Sequence, residues 1–140
     1  TNALQYAANG VYRYSKSSKE FPSWINPAEY FKKRVKKTLA SEEILIKVKK
    51  NIQEMIQFQI MNLNDSTYPF SKEQFDVVFC RNVLIYFSVE DQNDILKKLF
   101  KLLKIGGTLY LGHSESPQDL ALCTKRVGQN IFVKTKDCLW

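Results

Sequence analysis

Two periodicities alternate along the chain. In residues 1–9, Ala3, Leu4, Ala7 and Ala8 recur at helical spacing, and Gly10 suits a left-handed stop. Residues 11–25, rich in Ser and Lys, read as a loop with Trp24 tucked beneath it. Asn26-Pro27-Ala28-Glu29 is a helix start, with Asn as cap, Pro at the first position and Glu in the first turn. Over 42–49, Ile44, Ile46 and Val48 alternate with Leu45, Lys47 and Lys49, which predicts a strand with one face mostly solvated. After a turn near Asn51, Ile56, Phe58 and Ile60 alternate again and predict a strand over 56–62.

The second half changes character. Phe75-Asp76-Val77-Val78-Phe79-Cys80 is a nearly unbroken apolar run of strand length, which reads as a buried central strand of an α/β sheet. Ser88 with Asp91 three residues on caps a helix over 89–104, where Ile95, Leu96, Leu99, Phe100 and Leu103 form the apolar stripe. Lys97, Lys98, Lys101 and Lys104 crowd its C-terminal end, where cations suit the dipole, and Gly106-Gly107 should end it. Strands follow at 108–111 and 130–134. Strand, helix, strand over 75–112 is a βαβ unit with a right-handed crossover.

Charge and composition narrow the function classes. Residues 32–50 carry Lys32, Lys33, Arg34, Lys36, Lys37, Lys47, Lys49 and Lys50 against Glu42 and Glu43, a net +6 of the chain's +7. The excess is one local patch, suited to an acidic partner or to solvation. Only Tyr30 and Phe31 lie near it, which argues against nucleic acid. No apolar run reaches the ~20 residues of a membrane span. Three cysteines (Cys80, Cys123, Cys138) without paired spacing and a single histidine, His113, argue against a metal cluster and for a reducing cytoplasm. A start at Thr1 within a helical pattern suggests a segment of a larger protein and no signal peptide.

Ligands of open α/β sheets bind outside the carboxyl ends of strands. Arg81-Asn82 follows one such end, and Gly112-His113-Ser114-Glu115-Ser116 follows the next. A single crossover joins the two strands, so both clusters face one rim. Asn62-Leu63-Asn64-Asp65 joins them if the 56–62 strand is parallel. Singly, each has a plainer role: Arg81 in an ion pair, Asn82 as a cap, His113 as a loop residue.

The blocks Phe-Asp-Val-Val-Phe-Cys-Arg-Asn-Val-Leu-Ile-Tyr-Phe (75–87) and Leu-Leu-Lys-Ile-Gly-Gly-Thr-Leu-Tyr-Leu-Gly-His-Ser-Glu-Ser (102–116) resemble the C-terminal part of CheR-type chemotaxis receptor methyltransferases. The resemblance implies an α/β, Rossmann-like S-adenosylmethionine-dependent methyltransferase fold. It would be truncated at its N-terminal half, with a small antiparallel β-subdomain inserted at about 30–60. It implies methyl transfer from S-adenosylmethionine to receptor glutamates, leaving S-adenosylhomocysteine, with the cytoplasmic domain of a methyl-accepting chemotaxis receptor as partner. Asn62 and Leu63 would lie along the adenosine, Arg81 and Asn82 near the sulfonium end, and Tyr86 near the transferred methyl. His113–Ser116 would shape the active-site rim, and the hairpin resembles the subdomain through which some members hold a receptor tail.

No base is required for such chemistry. A glutamate carboxylate, which ordinarily titrates at about pH 4.3, is already the nucleophile at neutral pH, and catalysis reduces to positioning. The family's Gly-rich cofactor loop, its acidic partner and its N-terminal helical domain have no counterpart in these 140 residues. The chain alone is therefore expected to be inactive and to bind the cofactor negligibly. With its neighbouring strands missing, the 75–80 strand should present an open apolar edge and self-associate. The rival reading is a non-catalytic receptor-interaction module with a vestigial methyltransferase fold.

Overall fold

The computed structural model describes residues 2–15, 21–37, 42–112 and 121–138, with backbone alone at Lys36, Lys37 and Glu42. They form two compact units, Thr1–Ile60 and Met61–Trp140.

In the first unit, helix α1 (Asn2–Asn9) ends at Gly10, as its sequence predicts. Gly10 has φ +60°, and a Cβ there would sit 2.7 Å from Gln53 Nε2 and 3.2 Å from Val48. Strand β1 (Val11–Arg13) occupies the expected loop and pairs antiparallel with β3 (Glu42–Val48), whose other neighbour is β2 (Phe31–Lys37). The Asn26 side chain caps Ala28 N at 3.2 Å as expected, but helix α2 (Pro27–Tyr30) yields to β2 after four residues. The alternation over 42–49 holds, with Ile46 buried and Lys47 exposed on the opposite face. Trp24 is 81% exposed, contrary to its expected burial. Phe21 takes that role, its ring 6.0 Å from Tyr14 and 5.4 Å from Phe31. The turn near Asn51 is a short helix, α3 (Lys50–Gln53).

The strand expected over 56–62 does not form. Ile56, Phe58 and Ile60 belong to no ladder among the described residues, and all three are exposed. Alternation supplies a strand-like pattern, but only a hydrogen-bonding neighbour makes a strand.

The second unit is a four-stranded sheet in the order β4-β5-β7-β6, made of β4 (Phe75–Cys80), β5 (Leu103–Leu111), β6 (Thr124–Gly128) and β7 (Ile131–Lys134). β4 and β5 run parallel through helix α4 (Val89–Leu102), so the βαβ unit stands. Ser88 Oγ accepts from Asp91 N at 3.1 Å, the predicted cap. Ile95, Leu96, Leu99 and Phe100 bury against Cys80, Leu109 and Leu111. Each side chain so buried stabilises the unit by roughly 1.5–3 kcal/mol.

Two expectations about this unit change. Helix α4 ends at Leu102, before the glycine pair, because Leu103 turns to extended backbone and is itself fully buried. Gly106-Gly107 instead serves the register shift of β5 against β4, between Phe75 and Val77. A Cβ on Gly107 would meet Lys104 O at 2.9 Å and Asp76 O at 3.0 Å. The 75–80 strand is also not central in this chain. It lies at the sheet edge with Val77 and Phe79 exposed, as the open-edge expectation anticipates.

Cys123 and Cys138 are joined as a disulfide, their Cα atoms 5.6 Å apart, which overturns the expectation of unpaired thiols. The β6–β7 hairpin folds the chain back on itself, with Thr135 N donating to Cys123 O at 2.9 Å. A separation of 15 residues carries no motif that could announce this pairing. Cys80 is buried and takes part in no disulfide among the described residues.

Candidate functional site

Cys80 and Leu111 lie side by side at the carboxyl ends of β4 and β5. The chain leaves β4 through exposed Arg81 and through Asn82, whose φ of +59° places it in the left-handed region that Asn tolerates. A single 3₁₀ turn over Leu84–Tyr86 follows, closed by Phe87 N donating to Leu84 O at 3.0 Å.

Burial explains the aim of this segment. Leu84 is fully buried and Phe87 packs on the same core. Gln92 Nε2 donates to Phe87 O at 3.0 Å, and Ser88 starts α4. With these anchors fixed, Arg81, Asn82, Ile85 and Tyr86 face outward, Tyr86 82% exposed. Sequence order alone thus becomes a rim at the end of a parallel strand pair.

A second turn is tied to the same core. Asn62 Oδ1 accepts from Asn64 N at 3.1 Å, and Asp65 N donates to Asn62 O at 3.1 Å. Leu63 is half-buried, and its carbonyl accepts from Tyr68 OH at 2.8 Å and Lys98 Nζ at 3.0 Å. Lys98 Nζ also donates to Asp65 O at 2.8 Å and lies 5.1 Å from the Tyr68 ring centroid. Burial, with lesser contributions from Cys80 and Asp65, pushes the Tyr68 hydroxyl up to about 12. Leu63 and Tyr68 pack against the buried cluster that contains Cys80, the last residue of β4.

The structure therefore brings Arg81, Asn82 and Tyr86 onto one rim and fastens Leu63, with Asn62 beside it, to the core beneath. His113, Ser114, Glu115 and Ser116 lie outside the described residues. Sequence reasoning missed Tyr68 and Lys98 as the groups that hold the Leu63 turn. The Asn-Leu-Asn-Asp run signalled the turn itself, but an i+35 contact to a helix lysine has no local signature.

The rim and the turn beneath it offer a guanidinium, two carboxamides and an exposed phenol. A guanidinium can pair with a carboxylate, and a carboxamide can both donate to and accept from a polar ligand. Among the described residues no glycine-rich turn joins them. No group of three or more His, Cys, Asp or Glu able to hold a metal occurs among the described residues.

Comparison with known proteins finds relatives of this chain. Residues 1–132 match the family described as CheR methyltransferase, SAM binding domain. A chemotaxis protein methyltransferase of Salmonella typhimurium is 33% identical over 137 residues, 98% of this chain and 45% of that protein. Its Escherichia coli counterpart is 31% identical over 137 residues, covering 98% and 46%. Chemotaxis protein methyltransferase 1 of Pseudomonas aeruginosa is 49% identical over 73 residues, covering 52% and 26%. The chain thus spans a little under half the length of the first two.

Proposed function

The chain belongs to the CheR methyltransferase family, whose description names S-adenosylmethionine, and from that premise we propose that it forms the acceptor-side half of a protein-glutamate methyltransferase site. One observation carries the reading. The block 81–86 is pinned by buried Leu84 at the carboxyl end of a parallel strand pair, with Arg81, Asn82 and Tyr86 turned outward.

S-adenosylmethionine supplies an electrophilic methyl on a sulfonium. Asn62 and Leu63 would hold its adenosine end, Arg81 and Asn82 its sulfonium end, and Tyr86 would stand beside the approaching carboxylate. The substrate is a glutamate of a methyl-accepting chemotaxis receptor, already ionised, so these residues bind and orient without moving a proton. The basic hairpin would meet the acidic receptor surface. On β2 and β3, Lys32 and Arg34 share one face with Lys47 and with Glu43, which pairs with Arg13 at 2.6 Å, so that face keeps a net positive charge. We assign the reaction to the cytoplasm, where the receptor's signalling domain lies.

The test is a chimera in which this chain replaces the matching 45% of the Salmonella typhimurium relative. Methyl incorporation from labelled cofactor into receptor glutamates is expected, and Arg81→Ala should lower kcat/KM by at least about 100-fold, the loss expected when a charged positioning contact is removed. Tyr86→Phe should be milder. A folded chimera that methylates equally well with Arg81→Ala would overturn the assignment.

A further inference from the structure

Lysines gather where the cofactor rim does not need them. A cleft of about 350 Å³ opens between the 66–72 loop and the last two turns of α4. Lys72, Lys98 and Lys101 line it together with the hydroxyls of Ser66 and Thr67 and the ring of Phe70, and no carboxylate is among the lining groups.

We propose that this cleft binds the phosphate groups of a small phosphorylated ligand. The second unit as a whole is nearly balanced in charge, so Lys98 and Lys101, with Lys72 partly offset by Asp137, form a local concentration of positive potential on one concave surface. Their states differ in a way that suits an anion. Lys98 is pre-organised: two of its three N–H groups are held by the Leu63 and Asp65 carbonyls, and the third remains for a ligand. Lys72 is steadied by Asp137. Lys101 is exposed and makes no ion pair among the described residues. The helix dipole accounts for cations near the end of α4 but not for Lys72, which arrives from a separate loop.

Tyr68 adds selectivity. Its hydroxyl is spent on Leu63 O and stays protonated through neutral pH, so it puts no negative charge beside the anion. Phe70, edge-on to Phe75 at 5.1 Å between centroids, gives the cleft an aromatic wall. A ring attached to the phosphates, as in a nucleotide, would rest there. Lys98 is shared between the cleft and the Leu63 carbonyl, so an anion here draws on the same ammonium that fastens the Leu63 turn.

Calorimetric titration of the 140-residue chain with inorganic pyrophosphate and with ADP tests this. Both should bind with sub-millimolar Kd and weaken as salt rises. Lys101→Gln should weaken both about tenfold, the loss of one charge-assisted hydrogen bond, with an unchanged urea midpoint. Lys32→Gln, in the basic hairpin, should change neither. Tighter binding of ADP than of pyrophosphate supports a nucleotide seated on Phe70, and equal binding supports recognition of phosphate alone. Absence of binding up to about 10 mM, or equal losses with Lys101→Gln and Lys32→Gln, would overturn the site.

Discussion

The two faces of the four-stranded sheet received similar side chains and met different fates. One face presents Val78, Cys80, Leu109, Leu111 and Phe132 to α4 and is sealed. The other presents Val77, Phe79, Tyr110, Ile131 and Val133, where Phe79 is 69% exposed and stacks on Tyr110 at 4.6 Å between centroids. The apolar content of a strand states what it can bury, whereas burial needs an opposing layer. The sealed face also tolerates a charge. Lys134 is 1% exposed, yet its ammonium donates to Leu103 O at 2.9 Å and pairs with Asp137 at 2.6 Å. Satisfied donors, and not polarity as such, decide what that face accepts.

The sharpest way to break this comparison is to truncate one residue on each face. Leu109→Ala on the sealed face should cost about 3–4 kcal/mol, since a fully buried leucine leaves a cavity. Phe79→Ala should cost about 1 kcal/mol, chiefly its stacking with Tyr110. Urea unfolding measures both, and equal costs would mean that the second face is also covered. On the open face Phe79→Lys should reduce any concentration-dependent sedimentation of the chain.

The sealed face is closed at one corner by the disulfide, beside Asp137. Cys138→Ser, or reduction by a dithiol, should lower stability by about 3 kcal/mol, the value for a loop of some 15 residues. In a reducing compartment that loss should appear as free thiols in mass spectrometry after rapid alkylation. A urea midpoint indifferent to reductant would show that hairpin packing alone holds the corner.

The smallest effect is a pair of pH dependences. Hydrogen bonds from Lys134 and then Lys72 hold the Asp137 carboxyl below its ordinary value of 3.8. A depressed carboxyl contributes stability above its unfolded pKa, and this contribution is lost as pH falls through the folded one. Tyr68 is the reverse case. Its folded value of about 12 exceeds the unfolded 10.0, so its contribution is whole below pH 10 and declines as pH rises toward 12. Asp137→Asn should flatten the acid limb and Tyr68→Phe the alkaline one, read from unfolding midpoints against pH.

Much of this was legible in the sequence because the signals are local. The Gly10 stop, the Asn26 and Ser88 caps, the α4 stripe and the alternation at 44–48 each depend on residues within a turn or two of one another. The placement of Arg81 and Asn82 was legible for the same reason, since they directly follow a strand, whereas Tyr86 was singled out only by the family resemblance. The failures involve partners distant in sequence. Ile56, Phe58 and Ile60 alternate without a neighbouring strand, Val11–Arg13 became a strand only because β3 offered an edge, and Trp24 lost its place to Phe21.

What the sequence determined by itself was therefore the local chemistry: where helices start and stop, which block carries the rim residues, and where the positive charge lies. The tertiary structure alone decided that Cys123 meets Cys138, that Lys134 is buried and satisfied, and that Lys98 holds the Leu63 turn. The physical reason is range. Backbone dihedrals and caps are fixed by near neighbours, whereas burial, pairing of thiols and satisfaction of a buried charge depend on groups that only the folded chain brings within a few ångströms.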